Sequence, residues 1–263
     1  MKIEEIILSF FIYGFLGWSC EVVFAAVKQR KFINRGFLNG PICPIYGFGV
    51  VSVVILLFKY RNNMMLLLLL SVVLVTFLEW LTGLMLEKMF HHRWWDYSGL
   101  PFNIKGYVCP QFSIIWGFAC LIIVKYVHPS VLKIIHWVPD AFVVPIIICM
   151  CITFIADIVV TVTEILKLNL KLKNMKEIAK DMRNLSAHLG DNLSRNVINS
   201  IEKQETIKQK IEDYREKYRE LLRHPSYTDR RILRAFPKMN SLRYKEQLQE
   251  LKEFVEKKRT DRD

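Results

Sequence analysis

Five apolar stretches in series, at roughly 6–27, 42–59, 64–86, 108–127 and 138–161, constrain this chain more than any other feature. About 20 apolar residues, rising 1.5 Å each, cross about 30 Å of hydrocarbon. The stretches contain the charge-free runs Ile42–Phe58, Met64–Leu78, Gly106–Val124 and Ala141–Ala156. Five such stretches in 263 residues are not expected of a soluble domain. The pattern predicts an all-α polytopic membrane protein with five transmembrane helices. The opening Met1-Lys2-Ile3-Glu4-Glu5 carries two acids against one base, the wrong sign for a signal peptide, so the first stretch is read as a retained helix.

Charge divides the chain. Residues 1–166 carry nine acids and 12 bases, whereas residues 167–263 carry 16 and 25. That break predicts a transmembrane domain over 1–165 and a basic cytoplasmic helical tail over 166–263. With five spans and the basic tail inside, the loops after the first and third spans face the cytoplasm. They hold seven bases against four in the other two loops, in the sense of the positive-inside rule. The expected placement is a multi-pass protein of the cell membrane, N-terminus outside and C-terminus cytoplasmic.

The spans read as two repeated helix pairs plus one. Phe15-Leu16-Gly17-Trp18 matches Phe77-Leu78-Glu79-Trp80 at an offset of 62. Gly36-Phe37-Leu38 matches Gly106-Tyr107-Val108, and Ile45-Tyr46-Gly47-Phe48 matches Ile115-Trp116-Gly117-Phe118, both at 70. Two-span copies share an orientation, which implies a pseudo-twofold axis along the membrane normal. Such a repeat either frames a transport site at its interface or only helps four helices pack.

Polar residues inside the spans are the candidate site. Glu21, Glu79 and Asp157 are acids in otherwise apolar segments, where an acid faces the bundle interior and finds a partner. All three fall toward the expected cytoplasmic side, with Glu87 nearer the boundary. Glu21 and Glu79 are expected to share one interior near Asn39 and Asn103, with Arg35 or Arg93 as charge partner. The loop Asn34–Gly47 has too many Gly and Pro residues for a continuous helix and is too apolar for a solvated loop. It reads as a re-entrant entry to the second span, with Pro41 and Tyr46 in it, or as an interfacial turn. In the second cytoplasmic loop Trp94, Trp95 and Tyr97 suit an interfacial aromatic belt. Glu87, His91 and Asp96 could be drawn as a metal site, but no ligand pattern supports one and none is expected. The six cysteines show no pairing pattern and read as reduced thiols. No phosphate loop, nucleophile elbow or zinc spacing is present in the sequence, so neither an enzyme nor a cofactor is expected.

In the tail, Leu193, Val197, Ser200, Gln204, Ile207, Ile211, Tyr214, Tyr218 and Leu221 alternate spacings of four and three, a coiled-coil seam on one long helix over 167–223. After His224-Pro225 and a basic stretch, Tyr244, Leu248, Leu251 and Val255 line a second helix. The two helices fold back as a hairpin or the first one makes a homo-oligomer. The positive charge favours anionic lipid of the inner leaflet over nucleic acid, or is simply a solvated face.

The motifs Gly36-Phe37-Leu38-Asn39-Gly40-Pro41, Pro44-Ile45-Tyr46-Gly47, Glu79-Trp80-Leu81-Thr82-Gly83 with Glu87, and Trp94-Trp95-Asp96-Tyr97-Ser98 through Phe102-Asn103-Ile104 and Gly106 resemble the bacterial type IV ABC-transporter permease family. The resemblance covers about residues 1–165. It implies a membrane component of a transport system that works with a separate ATPase subunit, and names no substrate. The competing reading is a membrane scaffold or sensor that recruits partners through its tail. An intramembrane enzyme acting on lipid has the least support, since no nucleophile–base pair is visible.

Overall fold

The computed structural model describes residues 1–195 and 201–260. Nearly all of it is helix: α1 (Ile3–Gln29), α2 (Pro44–Leu57), α3 (Met64–Phe90), α4 (Pro110–Ile122), α5 (His128–Trp137), α6 (Asp140–Arg195), α7 (Ile201–Arg223), α8 (Tyr227–Ala235) and α9 (Lys245–Thr260). A wide π turn, Ile123–Val127, joins α4 to α5. Among the described residues four helices are long and apolar enough to cross a membrane: Ile3–Lys28, Met64–Phe90, Pro110–Trp137 and Asp140–Ala187. The expected second span is an apolar but shorter helix, Pro44–Tyr60.

Local chemistry sets the ends of these helices. Glu4 and Glu5 in the first turn of α1 and Lys28 in the last complement its dipole. Asn63 caps α3, its side chain accepting from Leu66 N at 3.1 Å. α1 and α3 both stop at a left-handed residue, Arg30 (φ 53°) and His91 (φ 58°). α2 and α4 both start on a Cys-Pro pair, where proline has no N–H to leave unbonded.

The chain forms two compact units. The first contains 1–163 with 231–239, and the second 164–230 with 240–263. In the first, α1 packs along α2 and α3 along α4. Glycine makes each approach close. The Tyr46 ring lies on Gly17, Gly47 meets Phe10, and Gly117 meets Val72, so near that a Cβ on any of these glycines would overlap its neighbour. Leu8, Val53, Val54, Leu67, Val124 and Ile135 belong to the core between the pairs.

The shortness of α2 has a visible cause. Cys43 N donates to Gly14 O at 2.9 Å. Gly14 is about 20 Å from the C-terminal end of α1 at 1.5 Å per residue. Residues 30–43 therefore return alongside α1 before any helix begins, and α2 covers only the N-terminal half of α1. Gly14, Gly17, Gly36 and Gly47 give that return its room.

In the second unit Ile165, Leu168, Leu172 and Met175 are fully buried on one stripe of α6. α7 packs on α9 of the same chain, and Tyr218 Oη donates to a Glu250 carboxylate oxygen. Lys176 Nζ donates to Arg243 O at 2.9 Å, and Arg183 pairs with Glu246 at 3.2 Å. The expected seam residues Ile207, Ile211, Tyr214, Tyr218 and Leu221 are half-buried on one face. Val197 and Ser200 lie outside the described residues, and the stripe of buried apolar residues starts earlier than expected, at Ile165. Ser226 and Asp229 form a capping box at α8, with Ser226 N donating to Asp229 Oδ2 at 2.9 Å and Asp229 N to Ser226 Oγ at 3.0 Å. Lys171 stands 3.5 Å from the same Asp229 oxygen. Burial pulls the Lys171 ammonium pKa down, and Asp229 opposes it.

Candidate functional site

The first long loop, 30–43, is tied down by side chains. Asn34 Oδ1 accepts from Trp18 Nε1 at 2.8 Å and from Gly36 N at 3.0 Å, while its Nδ2 donates to Asn39 O at 2.7 Å. Asp157 of α6 accepts from Asn39 N at 3.0 Å and Gly40 N at 2.7 Å. Asn39 Nδ2 donates to Thr161 Oγ1 at 3.0 Å. On the loop's other polar edge the buried Arg231 guanidinium donates to Gly36 O, Leu38 O and Phe37 O at 2.9, 3.0 and 3.1 Å. A helix would have bonded these amides and carbonyls internally; here a carboxylate and a guanidinium take them instead.

Glu21 lies beside this loop. Tyr46 Oη donates to Glu21 Oε1 at 2.7 Å, and Arg35 Nη1 stands 3.5 Å from Glu21 Oε2. Arg35 also covers the Phe24 ring, and the Trp116 ring meets Tyr46 edge-on at 5.6 Å. α4 thus closes over the site that α1 and α2 build.

The second long loop, 91–109, carries the other acids. Tyr97 Oη donates to Glu79 Oε1 at 3.2 Å, and its ring stacks on Phe112 at 4.9 Å. Glu79 Oε2 is buried with no hydrogen-bond partner among the described residues. Burial first, then Glu79, push the Tyr97 hydroxyl pKa up. Glu87 pairs with Arg93 at 2.7 Å, a contact that raises the Arg93 pKa further, and Arg93 covers the Tyr107 ring. Trp95 Nε1 donates to Tyr107 O at 2.8 Å, with both rings against Gly83.

This loop is knitted from its own residues. Asp96 Oδ1 accepts from Ser98 N at 2.8 Å. Burial raises the Asp96 carboxyl pKa, but the Ser98 donors and Arg93 outweigh it and leave the carboxyl below its usual range. Asn103 Nδ2 donates to Leu100 O at 2.7 Å, and its Oδ1 accepts from Gly106 N at 2.9 Å. Gly106 has φ +76°, and a Cβ there would lie 2.5 Å from Asp96 Oδ1.

The structure therefore gathers Glu21, Tyr46 and Arg35, joins Glu79 to Tyr97, and sets Glu87 and Arg93 apart as their own pair. Asn39 bonds Asp157 and Thr161, and Asn103 bonds its own loop; no hydrogen bond joins either to Glu21 or Glu79. Pro41 is exposed in the turn before Cys43. Asp96 serves its own turn. Among the described residues no cluster that could hold a metal ion occurs.

Sequence reasoning missed four participants. Tyr97 and Trp116 were read as belt and repeat residues, and Thr161 carried no signal. Arg231 was hidden in a basic run. An aromatic cluster accompanies it: Trp94 touches Phe37 at 5.1 Å and Phe236 at 4.9 Å, both edge-on, so residues 231–239 meet both long loops.

No curated protein and no solved structure matches this chain. A family model described as "Putative ABC-transporter type IV" matches residues 8–162, more than half of the sequence and both long loops with the acids beside them. On that match the chain belongs to that ABC-transporter family.

Proposed function

We propose that this chain is the membrane subunit of a transport system driven by a separate ATPase, and that Glu21 and Glu79 form the polar core of its transport path. The observation that carries the reading is that each acid, in its own helix pair, accepts from a tyrosine hydroxyl of the adjoining segment, Glu21 from Tyr46 and Glu79 from Tyr97. Family membership supports transport. The sequence has no phosphate loop, so nucleotide hydrolysis falls to a partner.

Five crossings fit this reading, with residues 30–43 and α2 together making the second. Non-helical backbone at membrane depth is tolerated when packed in protein, as this loop is. Two duplicated helix pairs fit as well. The buried serines Ser9 and Ser71 are 62 apart, as are Phe10 and Val72, which receive Gly47 and Gly117, themselves 70 apart. These are the offsets of the sequence matches. The pairs Phe15–Trp18 and Phe77–Trp80 keep nearly the same ring angle, 30° and 31°. A cytoplasmic C-terminus beside anionic lipid is in keeping with the excess of bases in the loops after the first and third spans and in the tail.

Capture of the tagged chain from its own membranes, followed by mass spectrometry, tests the partner: an ATPase is expected. Partners that depend on residues 166–263, without an ATPase, would favour the scaffold reading. Glu21→Gln and Glu79→Gln keep side-chain shape and remove charge. Both are expected to insert and accumulate normally while stimulation of the captured ATPase falls about tenfold or more.

A further inference from the structure

At the end of the first helix pair remote from the long loops, α1 carries Glu5, Ser9 and Tyr13 four residues apart along one ridge. Tyr13 Oη lies 3.0 Å from His128 Nδ1, and both residues are buried, at 3% and 0% exposure. Phe58 closes edge-on over the imidazole at 5.8 Å. His128 follows the π turn because Pro129 has no N–H for the preceding turn and crowds its carbonyls, which widens it. A second histidine, His136, lies two turns further along α5. Its Nε2 is 2.8 Å from Glu5 Oε1.

These groups form a graded series. The His136 side chain is 62% exposed, Glu5 15%, and His128 not at all. His128 Nε2 and Ser9 Oγ are both buried with no hydrogen-bond partner among the described residues. A core histidine kept only for packing would have both ring nitrogens satisfied. The other charged groups nearby meet rings other than the imidazole or lie exposed. Lys59 covers Tyr60, Lys125 covers Tyr126, Arg61 covers the Phe58 ring, and Lys133 is exposed.

We propose that the Tyr13–His128 pair is a proton-binding site inside the bundle, filled from the surface by way of His136 and Glu5. The inference stands apart from the transport reading and does not use Glu21 or Glu79. A proton held at the His136–Glu5 pair is delivered to His128 Nε2. In the neutral form that accepts it, Nδ1–H donates to Tyr13 Oη and Nε2 is a bare lone pair. Protonation yields an imidazolium that keeps the Tyr13 hydrogen bond, and Glu5 returns to carboxylate. No other bond changes.

The test is nitrogen NMR on the full chain in lipid nanodiscs, with every histidine ring labelled. The chain has six histidines, and His128 is assigned by replacing the other five one at a time. Its ring is expected to pass from neutral to imidazolium between about pH 8 and about pH 4. Glu5→Gln should move that transition by about 0.5 pH unit or more, whereas Glu5→Asp, which keeps the charge, should move it far less. His136→Gln takes the place of Glu5→Gln if that variant does not accumulate, and should slow exchange of the His128 ring proton. An imidazole that stays neutral throughout in folded protein, or a transition that ignores both substitutions, overturns the proposal.

Discussion

The two long loops solve one problem in opposite ways. Each brings the chain back along a long helix to a Cys-Pro pair that starts the next helix. The first, 30–43, depends on groups far away in sequence: Asp157 and Thr161 for its amides and Asn39, Arg231 for its carbonyls. The second, 91–109, also meets Phe236 through Trp94, but its turn is closed by its own Asp96, Asn103, Gly106 and the bridge between Ile104 and Val108. A self-closed loop is a fixed part. A loop held by distant side chains takes its conformation from whatever places those side chains, so it can be released without being rebuilt.

Cys43 and Cys109, the buried residues just before α2 and α4, report on the two loops separately when each is the sole cysteine. The largest effect is expected from Asp157→Ala, which strands two amide donors at membrane depth. Losing hydrogen bonds to a charged group costs about 3–5 kcal/mol here, so thiol labelling of Cys43 should rise on the order of a hundredfold or more. Cys109 should be unchanged; an equal rise at both cysteines would show that the loops open together. Arg231→Ala comes next, at about 2–3 kcal/mol, again at Cys43 alone, with Arg231→Lys recovering only part because an ammonium cannot reach three carbonyls in a fork. Asn103→Ala should reverse the pattern, freeing Cys109 by about 1–2 kcal/mol and leaving Cys43 protected. The smallest effect on either cysteine is expected from Ile211→Asp. A charge on the half-buried face of α7 should loosen its packing on α9, read as lost helicity, and shift neither labelling rate by more than about twofold.

What the sequence disclosed follows the range of the interactions. The apolar stretches were legible because hydrophobic length is local, and so was the non-helical character of 34–47, from its Gly and Pro residues. Hydropathy cannot separate an apolar loop from an apolar helix, so the second stretch read as one span although α2 holds only 14 residues. Glu21 and Arg35 are near enough in sequence to be paired on inspection. Asp157 was visible as an acid out of place, but its partners are backbone N–H groups, which have no letter in a sequence. Arg231 was least legible: its three acceptors are also backbone atoms, nearly 200 residues away. Tyr97 looked like an interfacial aromatic because its ring suits that role, and only the fold turns its hydroxyl toward Glu79.

The long-range anchoring of the first loop also sets a timetable during synthesis. A ribosome adding 5–20 residues per second reaches Asp157 roughly 6–25 s after Asn39, and Arg231 roughly 10–40 s after Gly36. Until then residues 30–43 have nothing to hold their amides and carbonyls, and α2 has no seat at its N-terminal end. The second loop holds the fastenings of its 96–106 turn within itself, so that turn can close as soon as it emerges. The region first out of the ribosome is therefore the last to be finished, and a nascent chain arrested before residue 157 should leave Cys43 open while Cys109 is already shielded.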